Sequence, residues 1–301
     1  MSRKNDQTTA APRRKVSKGG DIWRRFRRNK GAMIGMIILA ILIIVALTVD
    51  LWLPEEKISG INVFEKLQKP LNNPVSDTVH LFGTDEMGRD LFWRTVYGTK
   101  YSLAIGFVSV LVSMLVGVPL GAVAGYYGGK LETVIMRITD IFSAIPSILM
   151  AIAIVSVLGR TMGNLMLAVG ISAVPQFTRI TRASVLTVKN VEYVEAARAL
   201  GKTDGYIIFR HILPNCLSPI IVQTTLRVAS AIISASSLSF LGIGIKPPMP
   251  EWGALLTAGK TYITGYSYLC LYPGLAIMIT VLAFNLVGDA LRDAMDPKLK
   301  N

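Results

Sequence analysis

Charged residues are scarce in this chain. They make up 17% of its 301 positions, whereas a soluble globular domain carries about 25%. Histidine and cysteine are scarcer still, with two of each, which excludes a disulfide-stapled scaffold. No Gly-x-Ser-x-Gly elbow and no His-Glu-x-x-His pair occurs. The run Gly128-Gly129-Lys130 is followed by Leu131, and Ala124 stands where a phosphate-binding loop begins with glycine, so it is not a nucleotide loop. Nothing here points to catalysis by this chain alone, and no cofactor is expected in it.

What the chain has instead is long apolar runs. Hydrophobic residues make up 51% of it and the mean hydropathy is +0.48. The runs are unbroken, not spread with the period of a water-soluble core. That pattern excludes a disordered chain and an ordinary cytosolic enzyme. A hydrocarbon core of about 30 Å needs roughly 20 apolar residues per helical crossing. On that scale six spans emerge: Ala32–Val49, Tyr101 to about Tyr126, about Val134 to Leu158, Gly163 to about Phe177, Leu213 to about Ile243, and Tyr268 to about Leu291. The expected fold is all-α, a polytopic membrane bundle of six transmembrane helices. Pro119, Pro146 and Pro175 fall inside spans two, three and four. Proline is tolerated there only where a neighbouring helix or water satisfies the freed carbonyl, so the helices are expected to pack together.

Six spans put both termini on one side. That side carries 22 of the 32 Lys and Arg residues, among them Arg24, Arg25, Arg27, Arg28 and Lys30 ahead of span one, and the other side carries 9. The positive-inside rule makes both termini cytoplasmic. The net charge of +13 is then a topology signal whose partners are anionic lipid headgroups, and nucleic acid is not an expected partner. In this topology Cys216 and Cys270 lie at opposite faces, as do His80 and His211. Neither a disulfide nor a metal site can join them. The first apolar run lacks a small-residue cleavage site before Trp52-Leu53-Pro54 and reads as a retained anchor. Residues 1–20, rich in Ser, Thr, Lys and Gly, read as a solvated tail.

The longest polar stretch on the basic side joins spans four and five, from Asn190 to Asn215. Asn190 is placed to cap a first short helix and Gly201 to end it. Thr203 or Asp204 is placed to cap a second helix running toward Pro214. Ala196, Ala197 and Ala199 form a small-residue knob that suits a partner's groove, although the same pattern also describes a solvated loop.

Glu195-Ala196-Ala197, three further residues, Gly201 and then Leu213-Pro214 resemble the EAA loop of ABC importer permeases. His211 replaces an Ile often found two positions before the Leu-Pro. Residues 81–103, 248–253, 285–297 and 28–32 are similar to the matching segments of dipeptide and oligopeptide permeases of the C-subunit type, so the resemblance covers nearly the whole chain. Trp93 stands where that family commonly has Ser, and Ala235 where many members have Glu.

The resemblance implies a type I ABC importer permease. Its coupling loop would comprise Glu195, Ala196, Ala197, Arg198, Gly201, Leu213 and Pro214. Glu195 would pair with a basic residue of the ATPase, and Gly201 would permit the bend between helices. The implied partners are two ATP-binding subunits that hold the ATP and Mg, a second homologous permease, an external substrate-binding protein and a short peptide as cargo. The implied location is a bacterial or archaeal cytoplasmic membrane. The expected organisation is a basic tail over 1–31, a first helix with an external loop over 32–97, the permease domain over 98–292 and a cytoplasmic tail over 293–301.

Asp85, Arg89, Asp90 and Arg94 have the spacing for Asp85–Arg89 and Asp90–Arg94 pairs on an interfacial helix at the outer mouth. Together with Glu251 and Trp252 they either brace that mouth or contact the binding protein. Trp93 and Tyr97 are expected at headgroup depth. Gly117, Gly121 and Gly125 form a small-residue stripe that packs either on another helix of this chain or on the second permease. Arg227 lies about halfway along span five and Asp140 near the inner end of span three. A charge at mid-bilayer costs several kcal/mol unless paired or wetted. Arg227 is therefore either a pathway residue drawing a substrate carboxylate or one arm of a salt bridge. Asp140 reads as structural, beside a cytoplasmic gate. Rival readings are the same machinery importing a nickel chelate or other small solute, a proton-coupled secondary transporter, and an intramembrane hydrolase. The second would need more intramembrane carboxylates than Asp140, and the third a nucleophile–base pair that the spans do not offer.

Overall fold

The computed structural model describes residues 18–71 and 79–296. Most of the tail expected over residues 1–20 lies outside them, as does the expected C-terminal tail from Pro297 onward. Apart from one bridge between Thr84 and Asp90, every regular element among the described residues is helical.

Helix α1 (Lys18–Arg28) is amphipathic, packing Phe26 against Ala290 and Ala294 while Arg24, Arg27 and Arg28 stay exposed. Asn29 separates it from α2 (Lys30–Trp52), which it caps by accepting the Ala32 N–H at 3.1 Å. A short α3 (Glu55–Ser59) leads into the loop before α4 (Leu91–Tyr127). With 37 residues, α4 is about 55 Å long, well beyond the roughly 30 Å of a hydrocarbon core. Its first turns, with Arg94 and Lys100, therefore stand clear of the apolar stretch.

The third apolar run is not one helix. It forms α5 (Gly129–Ala144) and α6 (Ser147–Leu158), which meet at 87°. The single helical run expected from about Val134 to Leu158 is thus broken at Pro146. Pro146 has no N–H to give, and it holds Ile145 in an extended conformation at φ −85°, ψ 124°. Pro119 and Pro175, by contrast, sit inside unbroken helices.

α7 (Met162–Val188) runs far past the end expected near Phe177. Its extension holds Thr178, Arg179, Thr181 and Arg182, too polar for an apolar window. Thr178 and Thr181 are buried, and Arg182 and Arg179 pair with Glu132 and Asp140 of α5. Then come α8 (Glu192–Ala199) and α9 (Asp204–Ile207), a π turn over Ile208–Ile212, a 3₁₀ turn over Leu213–Cys216, and α10 (Leu217–Phe240). The fifth span thus becomes a regular α-helix only after Pro214, and it ends before Ile243. α11 (Trp252–Lys260) and α12 (Tyr268–Met295) complete the chain.

Among the described residues four helical stretches are each long and apolar enough to cross a membrane, namely α2, α4, residues 204–240 and α12, and the bent α5–α6 pair makes a fifth if counted as one span. α7 is long enough but not apolar enough. α4 and α7 lie side by side along most of their length, with α2, α6, α10 and α12 around them. Ile105, Phe177, Ile232, Leu238 and Phe284 form the shared core.

The glycine stripe sits on the α4–α7 contact. A Cβ at Gly117 would lie 2.6 Å from that of Phe177, and one at Gly125 would lie 2.8 Å from that of Val185. At Gly121 it would strike the Thr178 carbonyl and come within 2.7 Å of the Thr181 Cβ. Gly121→Leu is expected to destabilise the bundle by about 1–3 kcal/mol or more, because backbone on the facing helix cannot step aside. A thermal unfolding midpoint in detergent equal to wild type would reject this close-packing account.

Candidate coupling elbow and polar cavity

Two features of the bundle stand out, an exposed elbow at the α8–α9 end and a polar cavity between the long helices. The elbow's geometry follows from Gly201. At φ +70°, it occupies the left-handed region that penalises a side chain. Its N–H donates to the Arg198 carbonyl at 3.0 Å and the Lys202 N–H to Ala197 at 3.2 Å, a Schellman end to α8. Asn190 does not cap α8. Val191 holds that position without a side-chain bond, and Thr203 precedes α9 likewise. The first turn of α8 carries Glu192 and Glu195 instead, suited to the positive end of a helix.

One face of the elbow is fixed to the bundle. Val194, Ala197, Ile207, Ile212 and Cys216 are buried with Tyr126 of α4 and Val185 of α7. The Tyr126 hydroxyl donates to Asp204 at 2.7 Å, and the Arg198 guanidinium lies 5.7 Å from the Tyr126 ring centre. Leu213 is half-buried against the same cluster and Pro214 is exposed. Of the three alanines expected to form a knob, Ala197 points inward, which corrects that expectation. Ala196 and Ala199 remain exposed with Glu195. The sequence reading missed the larger exposed groups, Leu200 at 77% and Phe209 at 71%. Their signal was available, since each is a large apolar residue in an otherwise polar stretch.

Arg227 and Asp140 do not meet. Asp140 pairs with Arg179 at 2.8 Å on a half-exposed surface. Arg227, near the middle of α10, lines a cavity of about 50 Å³ with Ser109 of α4, Ser147 of α6, Ser172 and Gln176 of α7, and Ser230 and Ser234 of α10. That space holds a few waters.

The end of the bundle opposite the elbow is braced by charges. The Asp85 carboxylate accepts the N–H groups of Met87 and Arg89 at 2.9 and 3.0 Å and the Arg89 Nε at 2.7 Å. The Asp90–Arg94 pair expected from spacing does not form, because the Asp90 carboxylate is taken up by the start of α4 and by His80 while Arg94 turns toward Asp85. Asp90 caps α4 by accepting the Phe92 N–H at 2.8 Å and binds His80 at 2.8 Å. Arg94 lies 3.6 Å from Asp85 and donates to the carbonyls of Ile58 and Pro248 at 2.9 and 3.3 Å.

Glu251 caps α11 by accepting the Gly253 and Ala254 N–H groups at 2.8 and 2.9 Å. Burial pushes its carboxyl above the ordinary range, against the pull of those donors. Trp252 donates its ring N–H to the Thr95 carbonyl at 2.9 Å. Asp85, Arg89, Arg94, Glu251 and Trp252 are all buried. They tie α4 and α11 together and do not offer a contact surface. Trp93 packs on Trp52 and shares the apolar cluster of Val49, Leu53 and Ile58.

Comparison with known proteins fits this architecture. The family described as "Binding-protein-dependent transport system inner membrane component" matches residues 117–301. The one described as "N-terminal TM domain of oligopeptide transport permease C" matches residues 17–70. The chain is 44% identical over 296 residues to the dipeptide transport system permease protein DppC of Alkalihalophilus pseudofirmus, covering 98% of this chain and 93% of that one. It is 43% identical over 281 residues to the glutathione transport system permease protein GsiD of Pectobacterium atrosepticum, covering 93% and 91%. Among solved structures, an inward-facing MetNI methionine ABC transporter aligns with a TM-score of 0.57 at 21% identity, over 68% of this chain and 98% of that chain.

Proposed function

The chain belongs to the binding-protein-dependent transport system inner membrane components, and on that premise we propose that it is one half of an ATP-driven import channel for short peptides. A second, homologous permease would supply the other half, and two ATPases would dock on the elbow. An external binding protein would deliver cargo at the α11 end, so that the elbow and both termini are cytoplasmic. Cargo of this class is supported by the relatives, whose names specify dipeptides and glutathione, itself a tripeptide.

The observation that carries this reading is the two-faced elbow. Its exposed face presents Glu195, Ala196, Leu200 and Phe209, while its buried face is packed on α4 and α7. Those two helices also supply Ser109, Ser172 and Gln176 to the cavity. A displacement imposed from outside would therefore reach the cavity through packed helices. The chain brings no phosphate-binding loop, so the work would come from the partners' ATP.

In proteoliposomes holding the assembled complex, uptake of labelled dialanine is expected to require ATP and the loaded binding protein. Uptake that survives ATP depletion and collapses with an uncoupler would favour the proton-coupled reading. A nickel chelate that stimulates ATP hydrolysis where dialanine does not would change the cargo. A single cysteine at Leu200 is expected to react only from the cytoplasmic face, and labelling from outside would reverse the orientation.

A further inference from the structure

The cavity on α10 contains two polar groups that the protein itself leaves without a partner. Arg227 is half-buried, and among the described residues it makes neither an ion pair nor a hydrogen bond. A lone guanidinium near the centre of an apolar helix is unfavourable unless it is paired or wetted. Ser109 of α4 lines the same cavity, is 1% exposed, and its hydroxyl has no partner among the described residues, which leaves a buried polar group unsatisfied. The neighbouring Ser172 and Ser230 differ, since each donates to a carbonyl one turn back on its own helix, at 2.7 and 3.3 Å. Among the described lining residues, Ser109 is the one whose fully buried hydroxyl lacks a partner, and Arg227 is the one that carries a charge.

The chemistry of that group is constrained from several sides. Among the described residues no carboxylate lines the cavity, so a metal cation or an amine would meet a positive charge with nothing to offset it. A guanidinium presents a planar fork of donors that matches a carboxylate at both oxygens. Ile148 and Ala151 of α6, just after the Pro146 bend, and Val169 of α7 give the cavity an apolar wall. The space suits a terminal carboxylate, not a whole peptide.

We propose that Arg227 and Ser109 bind the free α-carboxylate of the peptide cargo on its way past α4, α6, α7 and α10. This rests on the peptide-permease reading above and adds to it a point of substrate recognition inside the bundle.

The test compares labelled dialanine with alanyl-alaninamide in proteoliposomes of the complete complex. Each variant's rate is divided by the wild-type rate for the same peptide, which cancels the preference of the binding protein. Arg227→Gln is expected to slow dialanine uptake about tenfold or more, the worth of a charge-assisted hydrogen bond, and amide uptake less than about twofold. Arg227→Lys, which keeps the charge, should recover a large part of the dialanine rate. Ser109→Ala should slow dialanine alone, by about threefold, and remains decisive if Arg227→Gln does not assemble. Equal loss of both peptides in Ser109→Ala and Arg227→Lys, or no loss of either in Arg227→Gln, overturns the carboxylate site while leaving the permease reading standing. A wild-type complex that imports neither peptide overturns both.

Discussion

Asp85→Ala is expected to destabilise the protein by about 3–5 kcal/mol, the cost of breaking a buried ion pair from one side. Asp85 is 4% exposed, and its partners Arg89 and Arg94 are 6% and 3% exposed. The carboxylate also holds the turn before α4 through the Met87 and Arg89 N–H groups. Without it, Arg89 keeps only Glu86 at 3.6 Å, and Arg94 keeps two carbonyls and no carboxylate. The turn would lose its closure just where α4 meets α3 and α11. Asp85→Asn retains an acceptor for the two N–H groups but not the charge, so it should fall between wild type and Asp85→Ala. Thermal unfolding of the purified protein in detergent measures the series. Three indistinguishable midpoints would mean that the buried charges do not brace this end.

The contrast between what the sequence disclosed and what it hid has a physical pattern. Helical spans were legible because apolar runs of membrane length have few other solutions. The elbow was legible because Gly201 sits after a short polar helix, where a left-handed residue is needed. Pro146 was misread because Pro119, Pro146 and Pro175 look alike in apolar runs, and only the packing around each decides whether the helix continues. Spacing alone pairs Arg94 with Asp90, but it cannot show that the Asp90 carboxylate is taken by the α4 cap and His80. The end of α7 was hidden because Thr178, Arg179, Thr181 and Arg182 read as loop until their partners on α4 and α5 are in place. Ser109 carried no signal at all. A serine that bonds its own helix and one that waits for a partner are the same letter.

Glu195→Arg is expected to cut ATP-driven uptake at least about tenfold while leaving the fold intact, given the 2–5 kcal/mol that a broken interfacial charge pair costs. Glu195 is exposed and makes no ion pair among the described residues, so its removal strands nothing inside the chain. The helix loses a favourable charge in the first turn of α8, worth about 0.3–1 kcal/mol, too little to unfold a packed bundle. Its neighbours Ala196 and Leu200 would still offer their apolar surface to a docking groove, but an arginine would now face the basic residue that the coupling-loop resemblance places on the ATPase. Docking should weaken and hydrolysis should no longer move cargo. Co-purification of the ATPases with the variant would fall in parallel with uptake, and charge reversal on the ATPase side should restore both. Gly201→Val offers an independent route to the same failure, since it strains the left-handed residue by roughly 1–2 kcal/mol and displaces α8 from Tyr126 without touching Glu195. Wild-type uptake by Glu195→Arg, with the ATPases still bound, would show that the force enters this bundle elsewhere.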